Sequence, residues 1–176
     1  MREVLAEGRH VRLVRVDGWE WAERTGISGV VAIIALTPDN EVLLVEQFRP
    51  PIGARVIELP AGLAGDIAGA EDEDLSEAAR RELEEETGYT AVKMALIGRG
   101  PISAGLTDEL LTFYRATDLQ RIGPGGGDAS EDIEIHRVPA DQVHDWLVAK
   151  QDAGVLVDPK VYAGLYWLTS ASRPSR

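Results

Sequence analysis

The 176-residue sequence contains no cysteine, which excludes a disulfide framework and any zinc site built on thiolates. It also lacks a long apolar run. The longest candidate, GVVAIIAL at Gly29–Leu36, has the length of a buried strand and falls short of the ~18 to 20 residues that cross a bilayer. No signal-peptide pattern is visible at the start, so the expectation is a cytoplasmic protein without a membrane partner. Positive charge is scarce: 18 Lys and Arg stand against 30 Asp and Glu, for a net charge of −12. General nucleic-acid binding is therefore not expected, because neutralising phosphates requires clustered Lys and Arg. The three histidines, His10, His136 and His144, are scattered and form no His-Glu-x-x-His pair, which argues against zinc. There is no internal repeat.

What is present suits one globular domain with a real core, since 44% of the residues are hydrophobic. HVRLVRV (His10–Val16) and WEWAER (Trp19–Arg24) flank Asp17-Gly18, a hairpin by alternation and turn chemistry. GVVAIIAL and EVLLVEQF (Glu41–Phe48) read as strands joined by the turn TPDN. RVIELP (Arg55–Pro60) is a short strand, and Ala61–Asp74 reads as a loop. Leu75–Thr87 has a helical pattern with Gly88 in the capping position. Strands are expected at 91–98, 109–119 and 131–138, and helices at 141–151 and 159–169. The class is mixed α and β, a mixed sheet flanked by helices.

The first helix is unusually acidic, with Glu77, Glu82, Glu84, Glu85 and Glu86 in one short stretch. Residues three and four apart share a helical face, so Glu82 converges with Glu85 and with Glu86. A solvated surface helix accounts for such a run. A cage for a hard, oxygen-seeking cation such as Mg²⁺ accounts for it equally.

The spaced pattern E-x7-REL-x-EE-x-GY, from Glu73 through Arg81, Glu82, Leu83, Glu85, Glu86 and Gly88 to Tyr89, resembles the signature box of the Nudix hydrolases. The preceding ELPAG, Glu58–Gly62, is similar to the strand and turn that enter that box. One departure is visible. Ile67 stands where the box has glycine, and if Gly62 is its equivalent, ten residues instead of five separate it from Glu73.

The resemblance implies an α/β/α sandwich and a division into an N-terminal β element (1–27), a Nudix domain (28–172) and a frayed tail (173–176). It implies Mg²⁺, with Mn²⁺ as a substitute, held by Glu82, Glu85, Glu86 and the carbonyl of Ala61. Arg81 would hold these carboxylates. Glu85 would also orient metal-bound water, and Glu131, with Asp128 in reserve, would act as base.

EQFR (Glu46–Arg49), SAGLTDE (Ser103–Glu109) and WEWAER resemble the ADP-ribose pyrophosphatase branch. That resemblance assigns substrate contacts to Arg49, Glu109 and Trp21, although Ala104 stands where the branch marker has proline. Implied are hydrolysis of the diphosphate in ADP-ribose or a related nucleoside diphosphate sugar, and a homodimer built through the N-terminal strands. A dinucleotide substrate (FAD, NADH or a diadenosine polyphosphate) and a non-catalytic nucleotide-binding module are the alternatives.

Overall fold

The computed structural model describes residues 1–127 and 131–170. Asp128 and the expected tail 173–176 therefore lie outside the described residues. Strands β1 (Glu3–Glu7), β2 (Val11–Val16) and β3 (Trp19–Arg24) form an antiparallel three-stranded sheet in that order. Asp17 (φ 50°) and Gly18 (φ 87°) both adopt left-handed backbone between β2 and β3, as a two-residue hairpin turn of the primed type requires. The third strand, β1, extends the expected hairpin.

The main body runs β4 (Gly29–Ala35), β5 (Glu41–Arg49), β6 (Ala54–Glu58), β7 (Ala61–Ala64), α1 (Leu75–Thr87), β8 (Tyr89–Pro101), β9 (Leu110–Arg121), β10 (Ile133–Pro139), α2 (Val143–Asp152), β11 (Leu156–Val157) and α3 (Pro159–Ser170). The expected single mixed sheet is two four-stranded sheets, ordered β7-β4-β9-β8 and β10-β5-β6-β11. Each is mixed: β4 runs parallel to β9, and β11 parallel to β6.

The unbroken apolar run of β4 serves two cores. Ala32 and Ile34 pack with Val42, Leu44, Ile57 and Leu59 beneath α2 and α3. Val31 and Ile33 turn the other way, with Leu43 and Tyr114, onto Ala79 and Leu83 of α1. Successive side chains of a strand point to opposite faces, so a strand between two helical layers must be apolar at every position. Helices on both sides give the sandwich.

Helix α1 has the limits that its pattern predicts. Asp74 caps it, its Oδ1 accepting the Ser76 N–H at 2.8 Å, and Gly88 ends it at φ 73°. Leu83, fully buried, anchors the inner face. Two elements depart from expectation: β7 lies where a loop is read from Ala61 onward, and the two-residue β11 is an addition beside β6.

Candidate active site

Strand β7 lies along α1 and organises its acidic face through backbone contacts. The Ala61 N–H donates to Glu86 Oε2 at 3.0 Å, and the Leu63 N–H to Glu82 Oε1 at 3.2 Å. Arg81 Nη2 donates to the Leu63 carbonyl at 2.8 Å. Gly62, between them, has no room for a side chain. A Cβ there would stand 1.9 Å from the carboxyl carbon of Glu82, so glycine is what permits the close approach of strand and carboxylate.

Arg81 is the hub of the face. Its Nη1 reaches Glu82 at 2.9 Å and Glu85 at 3.2 Å. Its Nε and Nη2 grip Glu73 through both carboxylate oxygens, at 3.2 and 3.1 Å. The longer loop before Glu73 thus leaves this residue within the network, and that loop contributes Asp66, 3.5 Å from Arg81.

Burial decides the protonation of the cage. The Glu82 carboxyl is pushed up to about 7 by burial, against the pull of Arg81. Glu86 is 3% exposed; burial and the neighbouring charges of Glu82, Glu131 and Glu58 raise it well above the usual range, opposed by the Ala61 N–H. Glu85 projects outward, its side chain 52% exposed.

The glycine run after β9 shapes the other end of the helix. The N–H groups of Gly126 and Gly127 donate to the carbonyls of Glu86 and Glu85 at 2.9 and 3.0 Å, and those of Ile122 and Gly123 to the Gly88 carbonyl. They satisfy the carbonyls that a helix C-terminus leaves unpaired. A Cβ on Gly88 would stand 2.3 Å from the Gly123 carbonyl oxygen. The run therefore caps α1, where the sequence suggests a flexible connection or a lid. Four residues beyond Gly127, Glu131 lines the same cavity as Glu82, Glu85 and Glu86.

That cavity, of about 860 Å³, also collects Ala61, Arg49 and Glu109. Arg49 Nε bonds Glu58 Oε2 at 2.6 Å. Glu109 pairs with Arg24, a cavity-lining arginine that the sequence reading passed over; its alternation with Trp21 along β3 was the available signal. Trp21 faces away from Arg24, its Nε1 donating to Glu23 Oε1 at 3.1 Å, and does not line the cavity of the single chain. Lys160, at the start of α3, also borders it.

The donor set fits a hard divalent cation: carboxylates of Glu82, Glu85 and Glu86 on one face, Glu86 buried and Glu82 half-buried, with Arg81 as the positive partner of Glu82 and Glu85. A second cluster, Glu46, Glu134 and His136, has its ligand atoms within 4.8 Å of one another. Lys150 Nζ and Arg55 Nε already bond Glu46 at 3.0 Å each, so that position carries its counter-charge.

A model of the NUDIX domain matches residues 27–158. The chain belongs to the Nudix family. It is 33% identical over 124 residues to the methanol dehydrogenase activator of Bacillus methanolicus, covering 70% of this chain and 64% of that one. It is 38% identical over 91 residues to the ADP-ribose pyrophosphatase of Bacillus subtilis, covering 52% of this chain and 46% of the relative. These two matches thus span less than two thirds of each relative's length. The ADP-sugar pyrophosphatase of Mus musculus is 31% identical over 198 aligned positions, covering 98% of this chain and 88% of that one. A solved structure described as an ADP compounds hydrolase superposes with a TM-score of 0.71 at 20% identity, over 99% of this Nudix chain and 95% of the other. It has the same fold.

Proposed function

We propose that the protein is a Mg²⁺-dependent pyrophosphatase, with Mn²⁺ as a substitute, acting on ADP-ribose or a related nucleoside diphosphate sugar. The products are a nucleoside monophosphate and a sugar phosphate. The observation that carries this reading is one cavity holding the carboxylates of α1, Arg49, the Arg24–Glu109 pair and Glu131 together. Its volume suits a nucleotide-sized ligand.

Glu82, Glu85 and Glu86, with the Ala61 carbonyl, would hold the cation, which supplies charge neutralisation at the diphosphate and a more acidic water. Arg81 positions Glu82 and Glu85. Arg49 exchanges Glu58 for a phosphate oxygen, and Glu109 and Arg24 border the nucleoside. Glu131 accepts the proton of the attacking water. Apolar residues exposed on the N-terminal sheet, Val4, Val11, Leu13 and Trp19, support a homodimer, in which Trp21 is the base-stacking residue of the reading.

The test is product chromatography after incubation with Mg²⁺ and a panel of ADP-ribose, other nucleotide sugars, FAD, NADH and diadenosine polyphosphates. Fastest release of AMP and ribose phosphate from ADP-ribose is expected. Faster cleavage of a dinucleotide replaces the substrate class, and no cleavage with either metal overturns the enzyme reading.

A further inference from the structure

At the opposite end of β4 and β5, a second cavity of about 560 Å³ opens between α2, α3 and the sheet. Val30 lines the first cavity and Leu36 the second. Six strand residues, at ~3.3 Å each, set them roughly 20 Å apart. The walls are mostly apolar, with Leu36, Val42, Val143, Leu165 and Leu168, and they also include Asn40 and His144. Into them β9 sends the side chain of Arg115.

Arg115 differs from several other arginines of the chain. Arg24, Arg49, Arg55, Arg81 and Arg137 are each ion-paired. The Nε of Arg115 is shielded from solvent and has no hydrogen-bond partner, and among the described residues no carboxylate pairs with its guanidinium. A buried Nε–H without a partner is costly to a fold. Packing does not call for it either, since its neighbour on the same face of β9, Phe113, is a core residue set against the tilted ring of Trp167 at 4.8 Å.

We propose that this cavity is a second ligand site, taking a small organic carboxylate whose head pairs with Arg115 and whose flat apolar body lies between α2 and α3. The planar fork of arginine matches a carboxylate through two parallel hydrogen bonds. Asp141, which also lines the cavity, repels a doubly charged phosphate more strongly than a singly charged head. Tyr162 and Tyr166 flank the mouth, and Tyr166 is 66% exposed, giving the body an amphipathic surface. The site shares α3 with the first cavity, which that helix enters at Pro159 and Lys160.

The test is titration of the isotope-labelled full chain with sodium benzoate and, separately, inorganic phosphate, following backbone amides by NMR. Benzoate is expected to shift amides around Arg115, Val143 and Leu165, in the unmodified chain and in Glu86→Gln alike. Arg115→Gln should weaken it about tenfold or more, the scale of a lost charge-assisted pair. Nuclear Overhauser contacts from the benzoate ring to Val143 and Leu165 methyls of the unmodified chain give a readout independent of any variant. Shifts confined to the α1 cavity, affinity unchanged in Arg115→Gln, absence of those contacts at millimolar benzoate, or tighter binding of phosphate than benzoate would each overturn the proposal.

Discussion

Two glutamates of similar burial, Glu46 of β5 at 5% exposure and Glu86 of α1 at 3%, differ in company. Glu46 has His136 Nε2 at 2.9 Å, with Lys150 and Arg55 each at 3.0 Å. Burial alone would raise its carboxyl, but these three donors hold it at about 2. Glu86 has one backbone N–H and a ring of other glutamates, and its carboxyl is raised. A buried carboxylate is tolerated when its charge is answered. The fold answers Glu46 itself; under the proposed function, a divalent cation answers Glu86.

The sharpest break of that contrast is Glu86→Gln. It should reduce hydrolysis by about 10²- to 10³-fold, the scale of losing one electrostatic stabiliser, while thermal melting in chelator stays the same or rises. Retained turnover, measured as nucleoside monophosphate release, would dissolve the contrast. Glu46→Gln should do the reverse, costing about 2 to 3 kcal/mol in denaturant unfolding, below a fully buried pair because Arg55 and Lys150 keep partial solvation. Its turnover per folded molecule should stay near that of the unmodified chain. In the same spirit, Mg²⁺ at about 100 times its dissociation constant should stabilise the unmodified chain and Glu46→Gln by about 2.7 kcal/mol. Glu86→Gln should gain much less.

The smallest effect is in pH. Glu46 is depressed from 4.5 to about 2, so its contribution is present above pH 4.5 and disappears as pH falls toward 2. Glu82 is raised from 4.5 to about 7, so its contribution is present below pH 4.5 and disappears as pH rises through 7. Melting temperatures in chelator should therefore fall less between pH 5 and 8 in Glu82→Gln than in the unmodified chain. An identical slope in both would place the Glu82 charge in solvent.

The parts of the site that one helix encodes were readable from the chain. The α1 limits, its cap and the convergence of Glu82, Glu85 and Glu86 follow from local spacing and a glycine, and so does the family. What pairing over distance creates was not readable. AGLA of β7 has little strand propensity and becomes a strand because β4 offers Val30 and Ala32 as partners to Leu63 and Ala61. The glycines at 125–127 suggest freedom until the carbonyls of Glu85 and Glu86 are in place to receive their N–H groups. Arg24 belongs to the cavity only because Glu109, 85 residues away, meets it. Arg115 reads as one more strand residue until its buried Nε is seen to lack a hydrogen-bond partner.

The cap on α1 also sets a leash. Gly127 is tied to the carbonyl of Glu85, and Glu131 follows four residues later, so its Cα can stand no more than about 14 Å from that anchor. The candidate base is thereby kept at high effective concentration beside the carboxylates even in the resting protein. The reach of this group is thus written in where the chain is fastened.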